Sequence, residues 1–137
     1  MSFTLVKHTA DVKIKVRGEN LEEIIVDAVR GMNEILEPEF LAHTVNVNAK
    51  REEIEVDSVD GSALVVDVMS EVLALSQINK MAYDVEAMEV IAKKKAKLKL
   101  RGEPIEKFGD DIKAVTYHGA ELKEVDGGLE ITILFDI

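Results

Sequence analysis

Between Val12 and Arg17 apolar and charged residues take turns: Val12, Ile14 and Val16 alternate with Lys13, Lys15 and Arg17. A period of two marks a strand with one buried face, and Gly18 closes it. Upstream, Phe3 to Val6 reads as a shorter strand. Lys7 to Asp11, between the two, is too polar for a buried strand and reads as a loop or strand end. The period then changes. Leu21, Ile24, Ile25, Ala28, Val29, Met32, Ile35 and Leu36 recur at helical spacing over about four turns. Asn20-Leu21-Glu22-Glu23 has the form of a capping box that starts this helix, and Pro38 stops it. Glu22, Asp27, Arg30 and Glu34 fall on its wet face.

Val45 and Val47 alternate with Asn46 and Asn48, and Ile54 and Val56 with Glu53 and Glu55. The two pairs differ in parity, which predicts a turn or bulge at Lys50-Arg51. A second helix is expected to begin near Asp60. From Ala63 to Leu75 it is apolar nearly all round, with Asp67, Ser70 and Glu71 on one narrow stripe, the pattern of a largely buried helix. Length and continuity decide against a strand at Leu64-Val65-Val66. Tyr83, Val85 and Ala87 alternate with polar residues, and then Met88, Val90 and Ala92 take over the apolar parity. Lys93 to Lys95 reads as a turn. Ala96, Leu98 and Leu100 alternate with Lys97, Lys99 and Arg101 until Gly102-Glu103-Pro104, and a loop follows over 105–111. Asp126-Gly127-Gly128 is a hairpin signal. After it Leu129, Ile131, Ile133, Phe135 and Ile137 alternate with Glu130, Thr132, Leu134 and Asp136. A strand that stays apolar to its last residue is expected inside a sheet rather than fraying at its margin.

The order β-β-α-β-β-α-β-β-β-β predicts an α+β fold in one domain, residues 1–137, with two helices packed on a mainly antiparallel sheet. Strand pairings stay open. At 137 residues the chain can bury a core without staples, and it has no cysteine for a disulfide or thiolate metal site. The start shows no secretory leader, and no uninterrupted apolar run has the length of a membrane span, so a cytoplasmic protein with no membrane contact is expected. Acidic residues number 27 against 17 basic, a net charge of −10. That balance disfavours wrapping nucleic acid and suits divalent cations or a basic partner. With no Trp and few aromatics, a base-stacking platform is not expected.

Candidate chemistry is sparse. Hard cations take several oxygen ligands, commonly carboxylates and carbonyls. Asp136 with the carboxylate of Ile137 offers one side of such a site, and Asp11 offers the other if the first strands lie beside the last. The ordinary alternative is two solvated aspartates. His8, His43 and His118 suit a transition-metal or acid–base site, or simply bond loops; His8 and His118 stand near the candidate carboxylates. The rows Lys13, Lys15, Arg17 and Lys97, Lys99, Arg101 suit RNA or an acidic partner, or are solvated sheet faces. No nucleophile elbow, phosphate loop or H-E-x-x-H motif is present.

Three stretches together resemble the archease family: His8-Thr9-Ala10-Asp11 followed by an alternating strand, Gly18 and Leu21-Glu22-Glu23; the apolar helix from Leu64 to Leu75; and Ile112-Lys113-Ala114-Val115-Thr116-Tyr117-His118-Gly119 with the ending Phe135-Asp136-Ile137. The resemblance runs the whole length. It implies an archease-like sandwich and a non-catalytic activator of the GTP-dependent tRNA-splicing RNA ligase of the RtcB type, promoting guanylylation and multiple turnover, with any tRNA contact indirect or weak. It also implies an acidic metal site suited to Ca²⁺ at Asp11, Asp136 and Ile137, and a partner-facing role for Lys113, with His8 and His118 beside it. A chaperone-like modulator of a tRNA cytosine methyltransferase is the related alternative. Lys13, the loop before Lys113 and the absence of an aromatic in the second helix depart from the family's usual pattern. From the residues alone, a metal-dependent hydrolase and an RNA-binding module are the rivals from other classes.

Overall fold

The computed structural model of the chain describes residues 11–36, 50–105 and 111–137. The expected strand at Phe3–Val6, the valines Val45 and Val47, Pro38 and most of the loop before Asp111 lie outside the described residues.

β1 (Asp11–Gly18) is the first alternating stretch. It leads into α1 (Leu21–Leu36), whose start is capped as the sequence demands. The Glu23 N–H donates to Asn20 Oδ1 at 2.9 Å, and Glu23 Oε2 reaches back to the Glu19 N–H, one residue earlier than the standard box. Leu21, Ile24, Ile25, Ala28, Val29, Met32 and Leu36 are buried. β2 (Lys50–Asp57) then runs without interruption. Lys50 and Arg51 pair with Gly102 and Arg101, so the predicted turn there is replaced by continuous ladder.

α2 (Gly61–Asn79) is capped by Asp60, whose carboxylate accepts from the Ala63 N–H at 2.8 Å, and ends at Lys80 in the left-handed region. By length and composition alone, 19 residues with a mean hydropathy of 1.4 over an 18-residue window, it could cross a membrane, although Asp67 and Glu71 break its apolar run. Here its apolar surface is taken up by packing: Leu64, Val65, Val66, Val68, Met69, Val72 and Leu73 are buried.

β3 (Met81–Ile91) and β4 (Lys95–Pro104) form a hairpin, and the parity change read in the sequence is a bulge between Val85 and Ala87. Three strands complete the described residues: β5 (Ala114–Thr116), β6 (Lys123–Val125) and β7 (Gly128–Asp136). Asp126 at φ 48° and Gly127 at φ 81° make the two-residue turn between β6 and β7.

The strands form two antiparallel sheets, β1-β7-β5 with β6 also on β7, and β2-β4-β3. Both helices touch both sheets, α1 against β1, β7 and β3, and α2 against β5, β2, β3 and β4. One core therefore unites Ile24, Leu64, Leu98, Ile133 and Phe135, each no more than 2% exposed. This is the expected α+β architecture. β7 is interior to its sheet, paired along one side by β1 and along the other by β5 and β6.

Candidate functional site

Asp11 and Asp136 are register partners at the end of the β1–β7 ladder. Directly opposed residues in such a ladder have Cα atoms about 4.5–5.5 Å apart and project to the same side. Their neighbours Val12 and Phe135 are the next pair and lie on the opposite face, where Phe135 is buried in the core. The two carboxylates thus share the outer face. On the other flank of β7, Ala114 pairs with Asp136, and the Lys113 N–H donates to the Asp136 carbonyl at 2.7 Å. Long-range pairing therefore gathers Asp11, Asp136, Ile137 and Lys113 at one end of one sheet.

His118 is not gathered with them. β5 runs antiparallel to β7, so each residue after Ala114 moves away from Asp136 by about 3.3 Å. Beyond Thr116 the chain turns, with the Ala120 N–H bonded to the Tyr117 carbonyl at 3.1 Å. The register that brings Asp11, Asp136 and Lys113 together therefore does not extend to His118. His8 and His43 lie outside the described residues.

Like charges placed directly opposite one another on a sheet repel. None of the ion pairs among the described residues involves Asp11 or Asp136. The donor chemistry, two carboxylates with the Ile137 oxygens adjoining, fits a hard cation such as Ca²⁺ and offers nothing soft. Among the described residues no three His, Asp or Glu side chains gather closely enough to enclose a metal, so backbone and solvent oxygens would complete its shell.

The basic rows are partly matched by carboxylates where they stand. On the outer face of the second sheet, Lys97 and Lys99 lie between Glu53 and Glu55 on β2 and Ala87 and Glu89 on β3. Lys95 pairs with Glu55 at 2.6 Å, and Arg51 with Glu86 at 3.1 Å. The Lys95 bond and charge hold the Glu55 carboxyl below its usual range, and Lys95 is raised by the same contact. On β1, Lys15 and Arg17 both engage Glu130, at 3.4 and 3.0 Å. Burial raises Glu130, but Lys15 and Arg17 together outweigh it and lower the carboxyl. Carboxylates interleave both rows, Glu130 beside the first and Glu53, Glu55 and Glu89 beside the second, which disfavours the open positive stripe that phosphate binding needs.

The sequence reading missed a second polar cluster. Tyr117 and Ser58 both donate their hydroxyl hydrogens to the Asp67 carboxylate. That bond, then burial, then the Asp67 charge push the Tyr117 phenol upward. The available signal was Asp67 itself, an acid on the narrow polar stripe of a largely apolar helix.

A profile of the Archease protein family matches residues 3–137. The chain belongs to the archease family. The archease of Methanosarcina mazei is 30% identical, over 98% of this chain and 95% of its own length. That of Pyrobaculum islandicum is 31% identical, over 96% and 92%. Two solved structures share the fold. A Thermotoga maritima archease, described as a possible chaperone, superposes with a TM-score of 0.68 at 21% identity, over 95% of this chain and 93% of its own. Protein 1598 of Methanobacterium thermoautotrophicum gives 0.71 at 23% identity, over 94% of each chain.

Proposed function

We propose that this archease is a non-catalytic activator of a GTP-dependent tRNA-splicing RNA ligase of the RtcB type, working in the cytoplasm to promote guanylylation of the ligase and its repeated turnover. The observation that carries the reading is the cross-strand placement of Asp11 opposite Asp136. A carboxylate pair fixed by strand register, on the outer face of a sheet whose other face is core, is a rigid acidic point that can be presented to a partner. Asp11, Asp136 and Ile137 would hold a divalent cation, Ca²⁺ fitting the donors, and bound there it supplies positive charge between two repelling carboxylates. Lys113, exposed and held through its backbone N–H to the Asp136 carbonyl, is the basic residue next to the pair along the chain and would take part in the partner contact. Any contact of the archease with tRNA is indirect or weak, because carboxylates are interleaved with its basic rows and the net charge is −10.

The hydrolase reading finds no third His, Asp or Glu side chain gathered with the pair among the described residues. The description of the Thermotoga relative as a possible chaperone supports a second reading, a chaperone-like modulator of a tRNA methyltransferase. One assay separates them: a purified RtcB-type ligase with a molar excess of cleaved tRNA, with and without the archease. Product beyond one equivalent of ligase only when the archease is present supports the activator. Equal product in both arms removes it and turns attention to the methyltransferase.

A further inference from the structure

The corner between β2 and α2 carries an unusual pairing of exposure with rigidity. Tyr117 is 61% exposed and Val59, across a shallow depression from it, is 79% exposed; Asp57, Ser58, Ala63 and Asp67 complete the lining. An exposed tyrosine ordinarily samples several rotamers. This one is tethered through its hydroxyl to Asp67, which also holds Ser58, and the Ser58 N–H is bonded to the Lys94 carbonyl at 2.7 Å. We propose that Tyr117 and Val59 are the anchor of a docking surface for a basic, arginine- or lysine-bearing segment of a protein partner.

Three properties fit that occupant. A pre-positioned aromatic loses little freedom on binding, and tyrosine is over-represented among the residues that dominate interfaces. The face of its ring attracts a cation, and the methyls of Val59 suit the aliphatic stem of arginine or lysine. The lining holds two carboxylates, Asp57 and Asp67, and no basic residue. Lys95, the cross-strand neighbour of Asp57, is taken up by Glu55. Phosphate would be repelled here, so an RNA strand is disfavoured. Tyr117 follows directly on β5, the strand whose first residue pairs with Asp136, so the anchor and the carboxylate pair are joined through one rigid strand.

The identity of the partner as an RNA ligase rests on the function proposed above; the surface itself does not. Two arms keep them apart. In the first, an arginine–leucine peptide is titrated into labelled protein and followed by backbone NMR. Shifts should centre on Val59, Ala63 and Tyr117, weaken as salt is raised, and vanish in Tyr117→Ala. In the second, ligase turnover is measured against archease concentration. Tyr117→Ala, and separately Val59→Lys at a site too exposed to affect folding, should raise the concentration for half-maximal activation at least about tenfold with the plateau retained. Asp136→Ala should lower the plateau with half-saturation unchanged. Peptide shifts scattered over the acidic surface, or an unchanged half-saturation in both variants, overturn the docking surface. So does a wild-type dimer dissociated by Tyr117→Ala, which would make a second copy the occupant. A wild-type protein that gives no activation removes the ligase, and the peptide arm then decides the surface.

Discussion

Leu64 and Ile78 lie on the same helix and differ in almost nothing but surroundings, so truncating each to alanine isolates what burial contributes. Leu64 is fully buried, while Ile78 is 76% exposed. Leu64→Ala removes three carbons, worth about 2.4 kcal/mol at roughly 0.8 kcal/mol per methylene-sized group. The site is lined by helix and sheet and collapses only in part, so the cavity left behind brings the total to about 3–5 kcal/mol. That is a large share of the stability of a domain this size. With an unfolding entropy near 2.1 cal/mol/K per residue over 137 residues, the midpoint should fall by about 10–17 °C. Ile78→Ala should stay within about 0.5 kcal/mol of wild type, since it empties no cavity and alanine is the better helix former. Urea unfolding followed by circular dichroism measures both. Similar losses for the two variants would refute the placement of α2 between the sheets with its Leu64 side inward.

Gly102→Ala should destabilise by about 1–3 kcal/mol by denaturant midpoint. A Cβ there would lie 2.4 Å from Tyr83 Cε1, and the fully buried ring is bonded through its hydroxyl to Asn79 at 2.8 Å. Alkaline titration read by phenolate absorbance should show Tyr117 ionising above the ordinary tyrosine value of about 10. Because its folded pKa is raised, the stability it contributes is present below that ordinary value and is lost as pH rises through the folded one. Asp67→Asn should return the titration towards about 10 and remove that alkaline loss; a titration unchanged by the substitution would contradict the Tyr117–Asp67 bond.

Much of this fold was legible because its strands and helices keep their periods unbroken. The alternation from Leu129 to Ile137, preceded by Asp126-Gly127, leaves little choice but a hairpin and a half-buried strand, and α2 is too long and too evenly apolar to be a strand. The turn predicted at Lys50-Arg51 failed for a non-local reason. Arg51 sits directly opposite Arg101, a like-charge pair that strands normally avoid. Glu86, on β3 at the bulge between Val85 and Ala87, offsets it by accepting from Arg51 at 3.1 Å. A window of sequence around residue 50 contains none of that. The same limit applies to the site. Asp11 and Asp136 could be named from the ends of their strands and from family resemblance, but nothing local fixes β1 against β7, and only the register makes them opposite numbers. His118, close in sequence to Lys113, lies past the end of β5, and the register that joins Lys113 to the pair does not reach it. The Tyr117–Asp67–Ser58 cluster joins three segments distant in sequence and was visible only as one acid on the polar stripe of a mostly apolar helix.

The most direct test of the central claim is a paired measurement on wild type and Asp136→Ala: thermal unfolding with Ca²⁺ and with chelator, and multiple turnover by the ligase. Asp136 is exposed and its strand neighbours Ile133 and Phe135 pack on the core, so the fold should survive the change. In chelator the variant should be as stable as wild type or slightly more so, because a like-charge pair has been removed. Ca²⁺ should raise the wild-type midpoint by mass action and leave the variant where it was. Only wild type should carry the ligase past one round. A variant that still supports repeated ligation, or a wild-type midpoint indifferent to the cation, would contradict the role given to the Asp11–Asp136 pair.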